Sequence, residues 1–151
     1  MTVRIAYRHS KEWEAVKAIR TQVFIEEQHC PYELEWDKYE EISRHVLGSV
    51  DGEPMAAARW RMLAYKQRPA ARLERFSVLR DYRGKGYGKA LVSWVIEDAR
   101  RTGLGEYILH AQLHLEDFYR SFGFQSVGDP FEEVGIPHIG MVRCDRGPCK
   151  E

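Results

Sequence analysis

The sequence contains few cysteines and no long apolar run. Its three cysteines, Cys30, Cys144 and Cys149, are an odd number without the spacing of a disulfide framework, which excludes the small disulfide-stapled folds of secreted proteins. The N-terminal segment MTVRIAYRHSKEW lacks the apolar core of a signal peptide. No stretch approaches the ~20 apolar residues that a membrane-spanning helix needs. These absences predict a cytoplasmic protein with reduced thiols and no membrane partner.

An excess of charge of either sign is also absent. The chain has 23 basic and 23 acidic side chains, so it has no overall positive field of the kind that attracts nucleic acid. Hydrophobic residues make up 44% of its 151 positions, which is typical of a globular protein. A chain of this length can bury a real core. We therefore expect a single domain over residues 1–151, with no nucleic-acid partner.

The order of hydrophobic patterns predicts a mixed α/β layout. A first strand at Val3–Tyr7 precedes a helix that begins after Ser10 and runs to about Glu27. The acidic stretch that follows is predicted as a loop with a short helix, and Asp51-Gly52 is a strong hairpin signal. Further strands are predicted at 44–50, 54–63, 71–79, 107–111, 124–127 and 138–143, helices from residue 87 and over 115–122, and a polar connection at 64–70.

The stretch from Leu73 to Arg101 combines an apolar strand, a basic turn with three glycines and an amphipathic helix. Amide N–H groups at the start of a helix have no partner within it and lie at the positive end of its dipole. Glycine tolerates positive φ and lets a ligand approach the main chain, while Arg83, Lys85 and Lys89 add positive charge. Together these features predict a receptor for a phosphate or pyrophosphate.

Two common phosphate motifs do not match this turn. A P-loop counted from Gly84 requires a second glycine where Lys89 stands. The dinucleotide fingerprint requires a glycine three residues after the second one, but Lys89 follows Gly86 and Leu91 follows Gly88. The pattern that matches is Arg-x-x-Gly-x-Gly, present as Arg83-Gly84-Lys85-Gly86-Tyr87-Gly88.

In this setting the chain resembles the GNAT superfamily of acyl-CoA-dependent N-acyltransferases. The segment Phe118-Tyr119-Arg120-Ser121-Phe122-Gly123-Phe124 is similar to the family's Tyr-x-x-x-Gly-Phe segment, and the predicted element order is the family's order over about residues 3–143. The stretches VFIEEQHCPYELEWD and GIPHIGM also resemble the ElaA-like subgroup of bacterial GNAT proteins. The resemblance implies the GNAT fold, an α/β (α+β) structure with a central mixed sheet flanked by helices.

The resemblance also implies a site for acetyl-CoA as acyl donor. The turn would bind the pyrophosphate of coenzyme A, and the pantetheine arm would lie along a strand that splays from its neighbour. A main-chain N–H near Val78 would polarise the thioester oxygen. For Phe76 and Val78 only the backbone is assigned this role, since their side chains are expected in the core. The predicted cofactor-binding residues are Phe76, Ser77, Val78, Arg83, Gly84, Lys85, Gly86, Tyr87, Gly88 and Lys89.

Two residues are predicted to be catalytic. Tyr119 is the candidate general acid, because a phenol with a pKa near ~10 can protonate a leaving thiolate while staying neutral; the alternative is a packing role among phenylalanines. Glu74 is the candidate general base, at a position where some GNAT relatives keep a catalytic glutamate. The alternative for Glu74 is ion pairing with Arg72 or Arg75.

Other polar residues leave alternatives open. His110 and Gln112 are further candidates for water-mediated deprotonation, and His138 could reach the acceptor site. No metal is predicted, since Ala111 stands where a zinc-protease motif spanning His110 and His114 requires glutamate. A group of acids either forms a solvated face or, if it rims the cleft, attracts a cationic amine; these are Glu33, Glu35, Asp37, Glu40 and Glu41.

The predicted reaction is direct attack of a primary amine on acetyl-CoA, without a covalent acyl-enzyme. The acceptor is a small-molecule amine or a protein amine, and the sequence does not decide between them, since acceptor specificity depends on variable loops. A homodimer is an open alternative to a monomer. Three rival functions remain: a non-catalytic CoA-binding or sensing module, a protein that binds a nucleotide phosphate at the same turn, and a synthase of acyl-homoserine lactones.

Overall fold

Seven strands form one sheet in the computed structural model, which describes residues 1–147. Their spatial order is β1-β2-β3-β4-β5-β7-β6. All neighbours are antiparallel except β4 and β5, which are parallel. The strands are β1 (Thr2–Ile5), β2 (Arg44–Val50), β3 (Glu53–Tyr65), β4 (Arg68–Val78), β5 (Glu106–Gln112), β6 (Gln125–Glu133) and β7 (Ile136–Cys144).

Four α-helices accompany the sheet in residues 1–147: α1 (Lys11–Arg20), α2 (Tyr32–Glu35), α3 (Tyr87–Arg101) and α4 (Glu116–Arg120). The element order and the mixed sheet flanked by helices confirm the predicted fold. All of these helices are too short or too polar to cross a membrane.

The two faces of the sheet carry separate cores. Successive side chains of a strand point to opposite faces, so neighbouring residues of β2 divide between them: Val46 joins one core and Leu47 the other. On the first face α3 contributes Leu91, Val92, Val95, Ile96 and Ala99. On the second face α1 contributes Trp13, Val16 and Ile19. The helical spacing of both sets is what their sequences predict.

The N-terminal helix changes its winding halfway. Its start is capped by the Ser10 hydroxyl, which accepts a hydrogen bond from the Trp13 N–H at 3.2 Å. The helix then continues to Glu27 as predicted, but Thr21–Glu27 is a π-helix. Such wide turns are rare and occur often at functional sites, and here Phe24 lines the cavity described below.

A bulge distorts β4 shortly before its end. Arg75 has a φ of 61°, which is an uncommon conformation for a residue with a side chain. The register between β3 and β4 shifts between Ala57 and Arg59, so that Ala58 faces both Arg75 and Phe76. An extra residue on one strand bends that strand and increases its twist.

The bent end of β4 leaves β5. In the described chain the two strands pair at Ala71 with Tyr107 and at Arg72 with Ile108, and at no later position. From Leu73 onward β4 therefore has an open side, because its other side remains paired to β3. The splayed strand implied by the family resemblance is present.

Two hairpins differ from the prediction. The prediction of a polar connection over residues 64–70 is wrong. The two-residue turn Lys66-Gln67 joins β3 directly to β4, and its φ values are 49° and 65°. Positive φ at both positions usually requires glycine or asparagine, so the sequence carried no signal. The strand predicted at 124–127 is too short, because β6 extends to Glu133 and turns through Val134 and Gly135 into β7.

The cysteines also differ from the prediction. Cys30 is a free thiol, but Cys144 is disulfide-bonded, so the expectation of reduced thiols throughout is wrong at Cys144. Cys149 lies outside the described residues.

Candidate active site

The turn between β4 and α3 exposes a run of amides without partners. Gly84 and Gly86 have φ values of 77° and 86°, and no side chain of residues 1–147 caps α3 at Gly86. The first amide after the turn to donate to the backbone is that of Ala90, to the Gly86 carbonyl at 3.2 Å. Within residues 1–147 the six amides from Gly84 to Lys89 donate to no backbone carbonyl. Six free amides at a helix N-terminus, interrupted by left-handed residues, are the arrangement of an anion-binding concavity.

The basic side chains of the turn divide into two kinds. Arg83 is tied down, since its Nε donates to the Val78 carbonyl at 2.8 Å and its guanidinium pairs with Glu27 at 2.9 Å. Lys85 and Lys89 are exposed. The turn therefore keeps two exposed positive charges beside its amides, while Arg83 fixes the turn against β4 and the π-helix.

A cavity of about 490 Å³ lies along the open side of β4. It is bounded by the π-helix, α2, the separated ends of β4 and β5, and the β6–β7 hairpin. Of the predicted site residues, it brings together Glu74, Phe76, Tyr119, His110, Gln112 and His138. The side chain of Ser77 is not part of it, because its hydroxyl donates to the Ala57 carbonyl at 3.2 Å and is buried.

Tyr119 lines this cavity and is surrounded by aromatic rings. Its ring contacts Phe76, Phe118 and Phe124 at centroid distances of 6.2, 5.1 and 6.2 Å. Burial raises the pKa of Tyr119 well above its usual range, with no hydrogen bond contributing among the described residues. The ring thus has the packing role considered as an alternative, but the hydroxyl is unpartnered and stays protonated.

Glu74 is held by three arginines. Its oxygens lie 2.6 Å from Arg59, 2.6 Å from Arg72 and 3.2 Å from Arg61. Burial alone would raise the pKa of Glu74, but the charge of Arg59 and the contacts with Arg61 and Arg72 outweigh it and lower that pKa. A carboxylate with a lowered pKa is a weaker base. The ion pair with Arg72 that was the alternative to catalysis is present, whereas Arg75 pairs elsewhere.

The acidic segment faces inward onto arginines. Arg20 binds Glu35 at 2.7 Å and Glu40 at 2.8 Å, and Arg59 binds Asp37 at 2.8 Å. Glu35 and Glu40 are buried. The predicted solvated face is therefore wrong at Glu35 and Glu40. Glu35 and Asp37 line the cavity described above, and their charges are compensated by arginines; attraction of a cationic amine to them stays a prediction.

The stability of the protein should fall in acid through Asp37. Burial raises the pKa of Asp37, but the hydrogen bond and charge of Arg59 more than offset this and lower it to about 2, from a usual 3.8. Between those values the unfolded chain binds the proton more readily, so the stabilisation is complete above pH ~4 and is lost as the pH falls toward ~2.

Asp37→Asn should therefore lower the free energy of unfolding at pH 7 and reduce the loss of that free energy on acidification, as measured by urea denaturation at pH 7, 4 and 3. Asp129→Asn, at an exposed position, is the control and should follow the wild-type curve; an Asp37→Asn curve parallel to wild type would contradict the assignment.

Glu133 joins two histidines at the far wall of the cavity. One oxygen lies 3.1 Å from His110 Nδ1 and the other 3.5 Å from His138 Nε2. His138 Nδ1 lies 2.7 Å from the Ile136 carbonyl, and His110 Nδ1 lies 3.0 Å from Arg72. Glu133 was not predicted as a site residue, because its place depends on the β6–β7 hairpin that the sequence did not indicate.

The chain is similar to known acetyltransferases over almost its whole length. Residues 10–143 match the family model described as "Acetyltransferase (GNAT) domain". Protein ElaA of Escherichia coli K12 is 37% identical over 131 residues, which are 85% of each chain. The crystal structure of Escherichia coli ElaA has a TM-score of 0.80 at 33% identity and covers 94% of this chain and 98% of that one.

Two further crystal structures share the fold. An acyl-CoA N-acyltransferase from Pseudomonas aeruginosa has a TM-score of 0.83 at 29% identity and covers 95% of this chain and 100% of that one. A GNAT family acetyltransferase from Elizabethkingia anophelis, solved with acetyl-CoA bound, has a TM-score of 0.67 at 12% identity and covers 95% of this chain and 97% of that one.

Proposed function

Since the chain belongs to the GNAT acetyltransferase family, as its resemblance to that family and to the ElaA-like subgroup predicted, we propose that it transfers an acetyl group from acetyl-CoA to a primary amine. The observation that carries this proposal is the run of six free amides from Gly84 to Lys89, placed at the end of the open side of β4. The amine attacks the thioester directly, without a covalent acyl-enzyme. The acceptor is the amine of a small molecule or of a protein.

The residues of the turn and of β4 fit the acyl donor. The six amides bind the two phosphates of the pyrophosphate, and the charges of Lys85 and Lys89 supplement them. The backbone from Phe76 to Val78, unpaired on the side of β5, binds the amides of the pantetheine arm. A main-chain N–H near Val78 stabilises the oxyanion. Acetyl-CoA, when bound, supplies the activated thioester.

Tyr119 acts on the leaving sulfur. Tyr119 lines the cavity, its hydroxyl has no hydrogen-bond partner in the part of the chain that the structure describes, and its raised pKa keeps it protonated at neutral pH. A phenol that resists deprotonation still donates a strong hydrogen bond to a developing thiolate. Tyr119 therefore stabilises the departure of sulfur and relays a proton to it.

Glu74 was predicted to be the general base, and its contacts favour a different role. Three arginines occupy its oxygens and lower its pKa, so it takes up a proton reluctantly. We assign to Glu74 the task of fixing Arg72 and Arg61, which both line the cavity.

Two measurements test the proposed function. Isothermal titration should show CoA and acetyl-CoA binding in the micromolar to millimolar range, and a screen of primary amines should show release of free thiol. A sensing module would bind CoA and release no thiol with any amine. A nucleotide-phosphate protein would bind ATP in competition with CoA, and an acyl-homoserine-lactone synthase would accept acyl-carrier protein as donor. Absence of CoA binding would refute the proposal.

Tyr119→Phe should lower kcat by about 100-fold or more while CoA affinity stays within about 2-fold. The reason is that the hydroxyl has no partner in the described chain, so that only its contact with sulfur is lost. Tyr7→Phe, at an exposed tyrosine, is the matched control and should retain full activity. An unchanged kcat in Tyr119→Phe would leave the tyrosine only its packing role.

The predicted cytoplasmic location and the homodimer also remain proposals. Cell fractionation tests the first, and light scattering of the purified protein tests the second.

A further inference from the structure

His138 lines the cavity beside the separated ends of β4 and β5. It pairs with Gln112 across β5 and β7, at the end of β5 that no longer contacts β4. It is buried, with 8% of its surface exposed, and lines the cavity. Its ring stacks on Phe131 with an angle of 24° between the planes. Packing on this side and the backbone contact described next fix the orientation of the ring.

The contacts of His138 define its proton positions. Nδ1 lies 2.7 Å from the Ile136 carbonyl, and a carbonyl oxygen only accepts, so we assign the ring proton to Nδ1. In the neutral ring, Nε2 then carries a lone pair. The nearest charged group to Nε2 is Glu133, whose oxygen at 3.5 Å also only accepts. Nε2 of His138 and the Glu133 oxygen are therefore two neighbouring hydrogen-bond acceptors at the cavity wall. Neither of them can donate a hydrogen bond to the other.

Glu133 is itself held in place. Its other oxygen lies 3.1 Å from His110 Nδ1, and His110 lies beside Arg72 at 3.0 Å. The hydrogen bond with His110 is the main cause that keeps the pKa of Glu133 below its usual range, so this carboxylate is ionised at neutral pH. The titratable or charged groups near His138 are thus Glu133 on β6, which lies against it directly, and His110 on β5 and Arg72 on β4 behind Glu133.

We propose that His138 is the general base that deprotonates the acceptor amine, and that Glu133 stabilises the imidazolium that results. An ammonium has three donors and no acceptor, which complements the Nε2 lone pair and the Glu133 oxygen. The inference rests on the proposed acetyl transfer. Arginines occupy the oxygens of Glu74, so Glu74 is a poor base. His138 also lines the cavity, and its Nε2 lone pair is not occupied by an arginine of the described chain.

The protons balance in this scheme. The ammonium gives one proton to Nε2, and the freed electron pair attacks the thioester carbon. When the C–S bond breaks, its electrons go to sulfur, and the nitrogen loses a second proton as the amide forms. Tyr119 donates its hydroxyl proton to the sulfur and takes up the second proton lost by the nitrogen. Its hydroxyl is therefore unchanged at the end of the reaction. His138 returns its proton to solvent.

The test compares two small acceptors that differ in their need for a base. Methylamine is an alkyl amine and is almost wholly protonated at pH 7.5, since such amines have a pKa near ~10.4; hydroxylamine is mostly unprotonated there. His138→Gln should lower kcat/KM for methylamine by about 100-fold or more and for hydroxylamine by less than about 3-fold. Glu133→Gln should lower the methylamine value by about 10-fold and leave hydroxylamine unchanged. His114→Gln, at an exposed histidine outside the cavity, should match wild type with both.

CoA titration of each variant separates the failure modes. All variants should bind CoA as the wild type does, which shows that the fold and donor site are intact. If His138→Gln loses activity equally with both acceptors, or with neither, the base assignment is overturned while the proposed function stands. If the wild-type protein does not bind CoA, the proposed function itself fails. If it binds CoA but releases no thiol with these or any other primary amine, the protein is the sensing module described above, and the inference falls together with the proposed function.

Discussion

Gly86→Val should weaken CoA binding by about 100-fold or more. Gly86 has a φ of 86° and a ψ of 2°, a left-handed conformation that costs an ordinary residue roughly 1–2 kcal/mol and a β-branched one more. A Cβ at this position would meet nothing within 4 Å, so the substitution leaves the packing of the protein undisturbed. The strain is relieved by rotating the peptides around Gly86, which turns amides of the six-member run away from the pyrophosphate.

The size of the effect follows from the charge of the ligand. A hydrogen bond to a charged group contributes roughly 1.5–3 kcal/mol, and two misdirected amides therefore account for a loss of about 100-fold. Isothermal titration with CoA measures it directly. Gly86→Ala, with a smaller side chain at the same φ, should give an intermediate loss.

Gly103→Val is the matched control for Gly86→Val. Gly103 follows the opposite end of α3, has a φ of 97° and likewise has nothing within 4 Å of a Cβ. The substitution imposes a comparable backbone strain on the same helix without touching the turn, so CoA affinity should stay at the wild-type value. Equal losses in both variants would point to a weakened helix. Wild-type affinity in Gly86→Val would show that the amides do not bind the pyrophosphate.

Arg59→Met should lower the free energy of unfolding by about 3–5 kcal/mol at pH 7. Arg59 is 1% exposed and lies 2.8 Å from Asp37, 2.9 Å from Glu40 and 2.6 Å from Glu74. Methionine fills most of the volume of arginine but leaves these carboxylates without their shared cation, and a buried unpaired charge is costly. The deficit should shrink as the pH is lowered, because a protonated carboxyl group no longer needs the cation.

Urea denaturation at pH 7 and pH 4.5 measures the Arg59→Met effect and its dependence on acid. Arg101→Met is the control, since Arg101 is 65% exposed and its nearest carboxylate, on Glu97, is 4.0 Å away; it should change stability by no more than about 0.5 kcal/mol. Equal effects of the two substitutions would mean that the buried network is not a major source of stability.

This network also supports the bulge that opens the active site. The positive φ of Arg75 is unfavourable for a residue with a side chain, but its guanidinium reaches Glu35 at 3.2 Å and Asp37 at 3.3 Å. Both acids belong to the segment after the π-helix. The same charges that the sequence presents as an acidic loop therefore hold β4 in the shape that separates it from β5.

The turn from Arg83 to Lys89, α3 and the order of the elements were all predictable, because each depends on residues close together in the sequence. Glycines that allow left-handed backbone, a helical repeat of apolar residues and an Asp-Gly hairpin express local preferences. The Lys66-Gln67 turn shows the limit of such preferences. Neither residue favours positive φ, and the long pairing of β3 with β4 imposes it.

The sequence by itself determined the family, the mixed α/β fold and the turn that we propose binds the acyl donor. Only the tertiary structure decided which carboxylates are compensated, that Glu74 is surrounded by arginines and that Glu133 stands beside His138. Those facts depend on side chains from distant parts of the chain meeting in a low-dielectric interior, where a partner a few ångströms away changes the protonation of a group far more than any sequence neighbour does.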